Sequence, residues 1–94
     1  MAWVNEVDSR GIADVLVYEV DSRGLADLLV CKVENRAEAM DEDAIWCFVD
    51  SRGEASSLIH FVDSRGIADL LICYVDSRGL AEWRTEDHPL IGKL

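Results

Sequence analysis

Three cysteines and a histidine recur at one position of a repeating pattern. Cys31, Cys47, His60 and Cys73 each stand two residues before a valine, in four consecutive copies. Thiolates and imidazoles are the ligand set of a tetrahedral zinc site, and a thiolate of lowered pKa is a nucleophile or redox centre. Cys47, His60 and Cys73 are therefore the residues from which a metal-linked, redox or enzymatic site would be built. The same column also holds Asn5 and Tyr18. Equivalent residues on paired strands stand in a row about 4.8 Å apart, and a straight row does not converge on one ion through bonds of about 2.0–2.3 Å. Free cysteine packs as a small hydrophobe. The column is read as core. No catalytic, cofactor-binding or metal-ligating residue is assigned and no cofactor is expected, with the metal or redox reading as the alternative.

Val-Asp-Ser-Arg-Gly occurs five times, starting at Val7, Val20, Val49, Val62 and Val75, and a worn copy, Val-Glu-Asn-Arg-Ala, starts at Val33. Arg10, Arg23, Arg36, Arg52, Arg65 and Arg78 form a column that could grip an anion, and the serines suggest nucleophiles. Six copies of a nucleophile with no recurring histidine make no catalytic unit. Asp and Arg two apart share a strand face, so each Arg is expected to pair with acids of its own or a neighbouring unit. Further acids are Asp14, Asp27 and Asp69, and, around an insertion, Glu38, Asp41, Glu42 and Asp43. Calcium needs six to eight oxygens at defined spacing, so a solvated acidic loop is expected. His88, before Pro89, reads as a surface residue.

A 13-residue period is too short for a helix pair or a strand plus helix with loops, and it suits one strand and a turn. The apolar stretches 15–17, 28–30, 45–48, 58–61 and 70–74 are rich in β-branched and aromatic residues, as strands are. Trp3 and Val4 supply the matching positions before Val7. The glycine after Arg reads as a left-handed or bulged turn residue, and the Ala column (Ala13, Ala26, Ala39, Ala55, Ala68, Ala81) as a place of close approach. The step from Val33 to Val49 is 16 residues, an insertion that marks a protruding loop or a change of course. The fold class is all-β: a compact toroid or closed, barrel-like winding of short strands, because closure leaves no open edge. One repeat domain spans 1–83, with units starting at 7, 20, 33, 49, 62 and 75, and 84–94 is a tail, disordered in part or packed over one end.

The ladder of Val-Asp-Ser-Arg-x-x-Ala-Asp units, the long third unit leading into Ile45-Trp46-Cys47-Phe48-Val49-Asp50-Ser51-Arg52, and the ending Ala81-Glu82-Trp83 resemble the 7(1) septoil knot domain. Its members are small, mostly bacterial proteins of unknown function. The resemblance covers roughly residues 3–83 and implies an all-β toroid whose chain winds twice around into a deep seven-crossing torus knot. Relatives often carry Tyr or another bulky residue in the glycine column, commonly followed by Gln, and often Tyr two before the Val.

The 94 residues suffice for one domain, half of them are hydrophobic, and the formal charge is -10. Such a chain repels phosphates, so neither nucleic acid nor an anionic membrane is an expected partner. No leader or spanning segment is visible, and three cysteines do not suggest a disulfide framework; a cytoplasmic protein is expected. The functional reading is a stable, non-enzymatic structural or protein-binding module, a monomer that presents a rim or the acidic insertion to an unidentified protein partner. Trp46 and Phe48 would be anchors if exposed.

Overall fold

A run of consecutive apolar residues recurs from unit to unit, as parallel strands covered on both faces require, and each such run is a strand. The computed structural model describes residues 2–40 and 42–94. Seven strands appear: β1 (Trp3–Glu6), β2 (Val15–Glu19), β3 (Leu28–Val33), β4 (Ile45–Phe48), β5 (Ser57–Phe61), β6 (Leu70–Tyr74) and the short β7 (Glu82–Trp83). Between strands the chain forms 3-10 turns at Arg23–Leu25, Arg36–Ala39, Arg65–Ile67 and Arg78–Leu80.

The first six strands are parallel and close into a barrel in the order β4-β1-β5-β2-β6-β3, with β3 returning to β4. β7 pairs antiparallel to the first half of β3, and β4 pairs with its second half. Each connection advances two places round the barrel, except β3 to β4, which advances one. With six strands, steps of two alone would return the chain to its start after three strands. The single short step places β4, β5 and β6 in the gaps left by β1, β2 and β3. The inserted residues lie at that step, so the insertion is a change of course. Asp41, one of its acids, lies outside the described residues.

The register is uniform. Phe48 pairs with Val4, Glu6 with Ile59, Phe61 with Val17, Glu19 with Ile72, Tyr74 with Val30 and Lys32 with Trp46. Every strand is thus shifted by two residues against the next, in one direction, which tilts the strands and keeps equivalent residues level round the barrel. Three inward-facing rings follow. The first, five residues before the Val, holds Ala2, Ser57, Val15, Leu70, Leu28 and Ala44. The middle ring holds Val4, Ile59, Val17, Ile72, Val30 and Trp46, all fully buried. The third holds Glu6, Phe61, Glu19, Tyr74, Lys32 and Phe48.

Each two-place connection crosses the outside of a strand from the other lap. Residues 7–14 begin on one edge of β5, where the Val7 N–H donates to Ile59 O, and end on its other edge, where the Asp14 N–H donates to Leu58 O. Segments 20–27, 49–56, 62–69 and 75–82 cross β6, β1, β2 and β3 in the same way. A second apolar layer fills the space beneath them, with Val20, Leu29, Ile45, Val75 and the three cysteines as members.

Candidate functional site at the open end of the barrel

The repeat's polar residues are construction parts. Serine Oγ of Ser9, Ser22, Ser51, Ser64 and Ser77 accepts the N–H of the glycine two residues on, at 3.2–3.3 Å, and Asn35 does the same for Ala37. These bonds satisfy the start of each turn and engage the oxygen that a nucleophile would need. The glycines depart from expectation: none of the repeat glycines has positive φ, and only Gly92 does. A Cβ at any of the five would meet the neighbouring serine Oγ at 3.6–3.7 Å, an ordinary contact.

The expected pairing of the Arg column with acids of its own or a neighbouring unit forms at Arg36, with Glu54 of the next unit, and not with the Asp beside each Arg. Asp8, Asp21, Asp50, Asp63 and Asp76 are exposed, and among the described residues the arginines make two carboxylate pairs, Arg36–Glu54 at 2.8 Å and Arg78–Glu38 at 3.4 Å. The partners lie two residues after Arg in other units, because a crossing segment brings that position against the next lap's arginine. The Arg36 bond is bidentate, raises the guanidinium's pKa and lowers that of Glu54, and the cation lies 5.3 Å over the Trp3 ring.

The other Asp column has a role that the sequence did not indicate. The Asp14 N–H donates to Leu58 O, while Asp14 Oδ2 accepts the Leu58 N–H at 2.9 Å. Asp27 clasps Leu71 and Asp69 clasps Leu16 in the same reciprocal way. Ser56 and Trp3 repeat it with a hydroxyl. Each clasp adds one rung to the parallel ladder before the strand begins.

Cys73, Cys31 and Cys47 fall on three neighbouring strands, β6, β3 and β4, and all are free and buried. They face outward from a convex wall, so their side chains diverge. His60 lies on β5, across the barrel from Cys31, with Nδ1 2.8 Å from Val7 O. Among the described residues no group of three or more His, Cys, Asp or Glu could hold a metal ion. The column is not a straight row either: the two-residue stagger sets Cys31 opposite Ile45 and Cys47 opposite Val33.

The tail seals one end. Leu94 is buried in the same core cluster as Ala2 and Ala44 of the first ring. Ser56 and Ser57 hydroxyls donate to Leu94 O at 2.6 and 3.4 Å. Asp43 holds this segment: its carboxylate accepts the Trp83 indole N–H at 3.0 Å and the N–H groups of Gly92 and Leu94. An acid expected to be solvated is thus an anchor. His88 is no surface residue: it stacks on Trp83 at 5.2 Å, and Nε2 lies 3.6 Å from Asp27 Oδ2.

A model of the 7(1) septoil knot domain matches residues 1–84. The chain belongs to this family. No curated protein and no solved structure matches it. In this septoil knot domain, residues 85–94, which hold Leu94, lie beyond the matched span.

The opposite end, where the strands finish, is the candidate site of the septoil knot domain. Its ring runs Glu6, Phe61, Glu19, Tyr74, Lys32, Phe48, an alternation of charge and aromatic. The three aromatics are half-buried against the core and the three charged residues are exposed. Lys32 Nζ sits 5.0 Å from the Phe48 ring centre and 5.2 Å from that of Tyr74. Burial, then the charges of Glu19 and Glu6, push the Tyr74 pKa above its ordinary value. A groove of about 410 Å³ opens beside Lys32 and Phe48, lined also by Val33 and Glu34. Of this ring, the sequence reading singled out Phe48 alone. The available signal is the period-two alternation: a residue two beyond a core valine faces inward, and here that inward position carries charge.

Proposed function

We propose that this chain is a non-enzymatic binding module whose working surface is the open end of the barrel. The observation that carries the reading is the asymmetry of the two ends. One is sealed by Leu94 and its hydrogen bonds, and the other presents half-exposed aromatics between charged side chains. Barrel mouths are common ligand sites, with apolar walls and a few polar groups that fix orientation. The repeat supports the same view: its Ser side chains and the Asp14, Asp27 and Asp69 carboxylates are engaged in caps and clasps, which leaves the mouth as the place where the units differ most in chemistry.

The test is a defined library of small charged, neutral and aromatic fragments, screened against isotope-labelled protein by NMR. Shift changes should cluster at residues 6, 19, 32, 48, 61 and 74. Changes confined to the crossing segments or to the sealed end, or none with any fragment, would overturn the reading.

A further inference from the structure

The polar groups that hold the tail are themselves held by the barrel. Asp43 is gripped by two tryptophans: the Trp46 indole donates to its backbone O at 2.7 Å and the Trp83 indole to its carboxylate at 3.0 Å. Ser56 is locked to Trp3, whose N–H donates to Ser56 Oγ at 2.9 Å while the Ser56 N–H donates to Trp3 O. Ser57 lies on β5. A carboxylate and two hydroxyls are thus set in place at this end of the barrel without any help from the tail.

Residues 85–94 meet these groups as a bound peptide does. The Gly92 and Leu94 N–H groups donate to the two oxygens of Asp43, Leu94 O accepts from both serines, and the Leu94 side chain is buried. Main-chain hydrogen bonds with a pocket for a side chain are the general grammar of peptide recognition. The remaining backbone bonds of the segment are local: Leu90 N–H to His88 Nδ1, Ile91 N–H to His88 O and Lys93 N–H to Leu90 O. No residue of 85–94 belongs to a strand, so departure of the segment breaks no rung of the ladder. The Ser56 hydroxyl can then turn to Trp3 O, 3.0 Å away, which keeps that donor satisfied.

We propose that the sealed end is a peptide-binding site, that residues 85–94 occupy it as an exchangeable ligand, and that the same segment of a second copy can replace them. The tail's own sequence is the one seen to fit, and exchange of an identical element between copies needs no new contact. The family match ends at residue 84, so the site belongs to the matched domain and its ligand to the added segment. Ten extended residues reach about 33 Å, which equals the longest dimension of the molecule, 33 Å. A released tail therefore spans to a copy abutting the same end. The inference is independent of the reading of the mouth.

The experiment uses full-length chains. Leu94→Ser spoils the tail and keeps the site, whereas Asp43→Ala spoils the site and keeps the tail. Each variant alone should be a monomer by light scattering, and an equimolar mixture should form a one-to-one heterodimer that tightens as salt screens the like charges of the two chains. A fluorescent peptide of residues 85–94 should bind the Leu94→Ser chain at least about tenfold more tightly than the wild type, whose own tail competes at an effective concentration of about millimolar. The peptide carrying Leu94→Ser should bind neither. A mixture that stays monomeric while the peptide binds overturns the second copy as occupant and leaves the site to a segment of another protein. A peptide that binds neither chain overturns the site. If the Leu94→Ser chain does not fold, hydrogen exchange of the wild type decides: the Gly92 and Leu94 amides should exchange at least about tenfold faster than those of the middle ring, and equal protection overturns the exchangeable tail.

Discussion

Replacing Gly11, Gly24, Gly53, Gly66 and Gly79 with alanine should stabilise the domain. All five have negative φ, so an L side chain enters no forbidden region. The new Cβ would meet only the serine Oγ two residues back, at 3.6–3.7 Å, which is ordinary van der Waals contact. The folded state therefore loses nothing, while the unfolded chain loses the extra freedom of glycine. At such a site the gain is about 0.4–1 kcal/mol. The five sites lie in separate units, so they should add to about 2–5 kcal/mol. Ala37 stands at the equivalent position of the third unit, with its N–H bonded to Asn35 in the same way, and is a natural precedent. Urea titration of the single and fivefold variants reads the effect as a rise in midpoint at constant slope. One substitution alone should raise the thermal midpoint by about 2–8 °C. Gly92→Ala is the contrasting control: with φ of 80° it should lose about 1–2 kcal/mol. A fall in stability on alanine substitution at any of the five would refute the reasoning, because it would mean that the turn needs glycine after all.

The Asp14 clasp is a solvent-exposed bond of ordinary strength. Asp14→Ala removes the acceptor of the Leu58 N–H, which water can then reach, and should cost about 0.5–1.5 kcal/mol, with Asp14→Asn recovering part of that, both read from denaturant midpoints. Leu94→Ala empties the sealed end and should cost about 2–5 kcal/mol, measured the same way, with Trp46 fluorescence as a local reporter. The Glu54 carboxyl, held low by its hydrogen bond to Arg36, should titrate below the other glutamates in an NMR pH series. The stability it contributes is present above the ordinary Glu pKa and is lost as pH falls through the lowered value; Arg36→Gln should return Glu54 to the ordinary range.

Strand content and closure are legible because they are local or periodic. A stretch such as 15–18 is an unbroken apolar run of strand length, and a half-repeat at each end of the domain invites closure. Strand order is not legible, because the partners of one strand lie on the other lap. Leu58 bonds to Asp14 from 44 residues away, and no feature of either unit names the other. The insertion before Ile45 was visible, but its meaning as a single-place step appears only once six strands are counted round a ring. The candidate site shows the same division. Phe61 and Glu19 look like the ends of two unrelated strands until the register sets them side by side. The Asp columns misled for a related reason: Asp8 and Arg10 lie on one stretch of chain, yet the carboxylate partners of Arg36 and Arg78 come from elsewhere.

The crossing segments have a consequence for the order in which the fold can come apart. Among the described residues, five of the six barrel strands lie beneath a segment from the opposite lap, and β4 has no such strap. A strapped strand cannot peel away until its strap has lifted, and each strap is tied to at least one strand that is itself strapped. Local fraying therefore has few places to begin, chiefly β4 and the ends of the chain. The same interlacing demands that distant units meet before either is stable, which slows folding. A protein built this way should form late and leave slowly, with a lifetime set by the barrier to unlacing more than by the depth of its free-energy minimum.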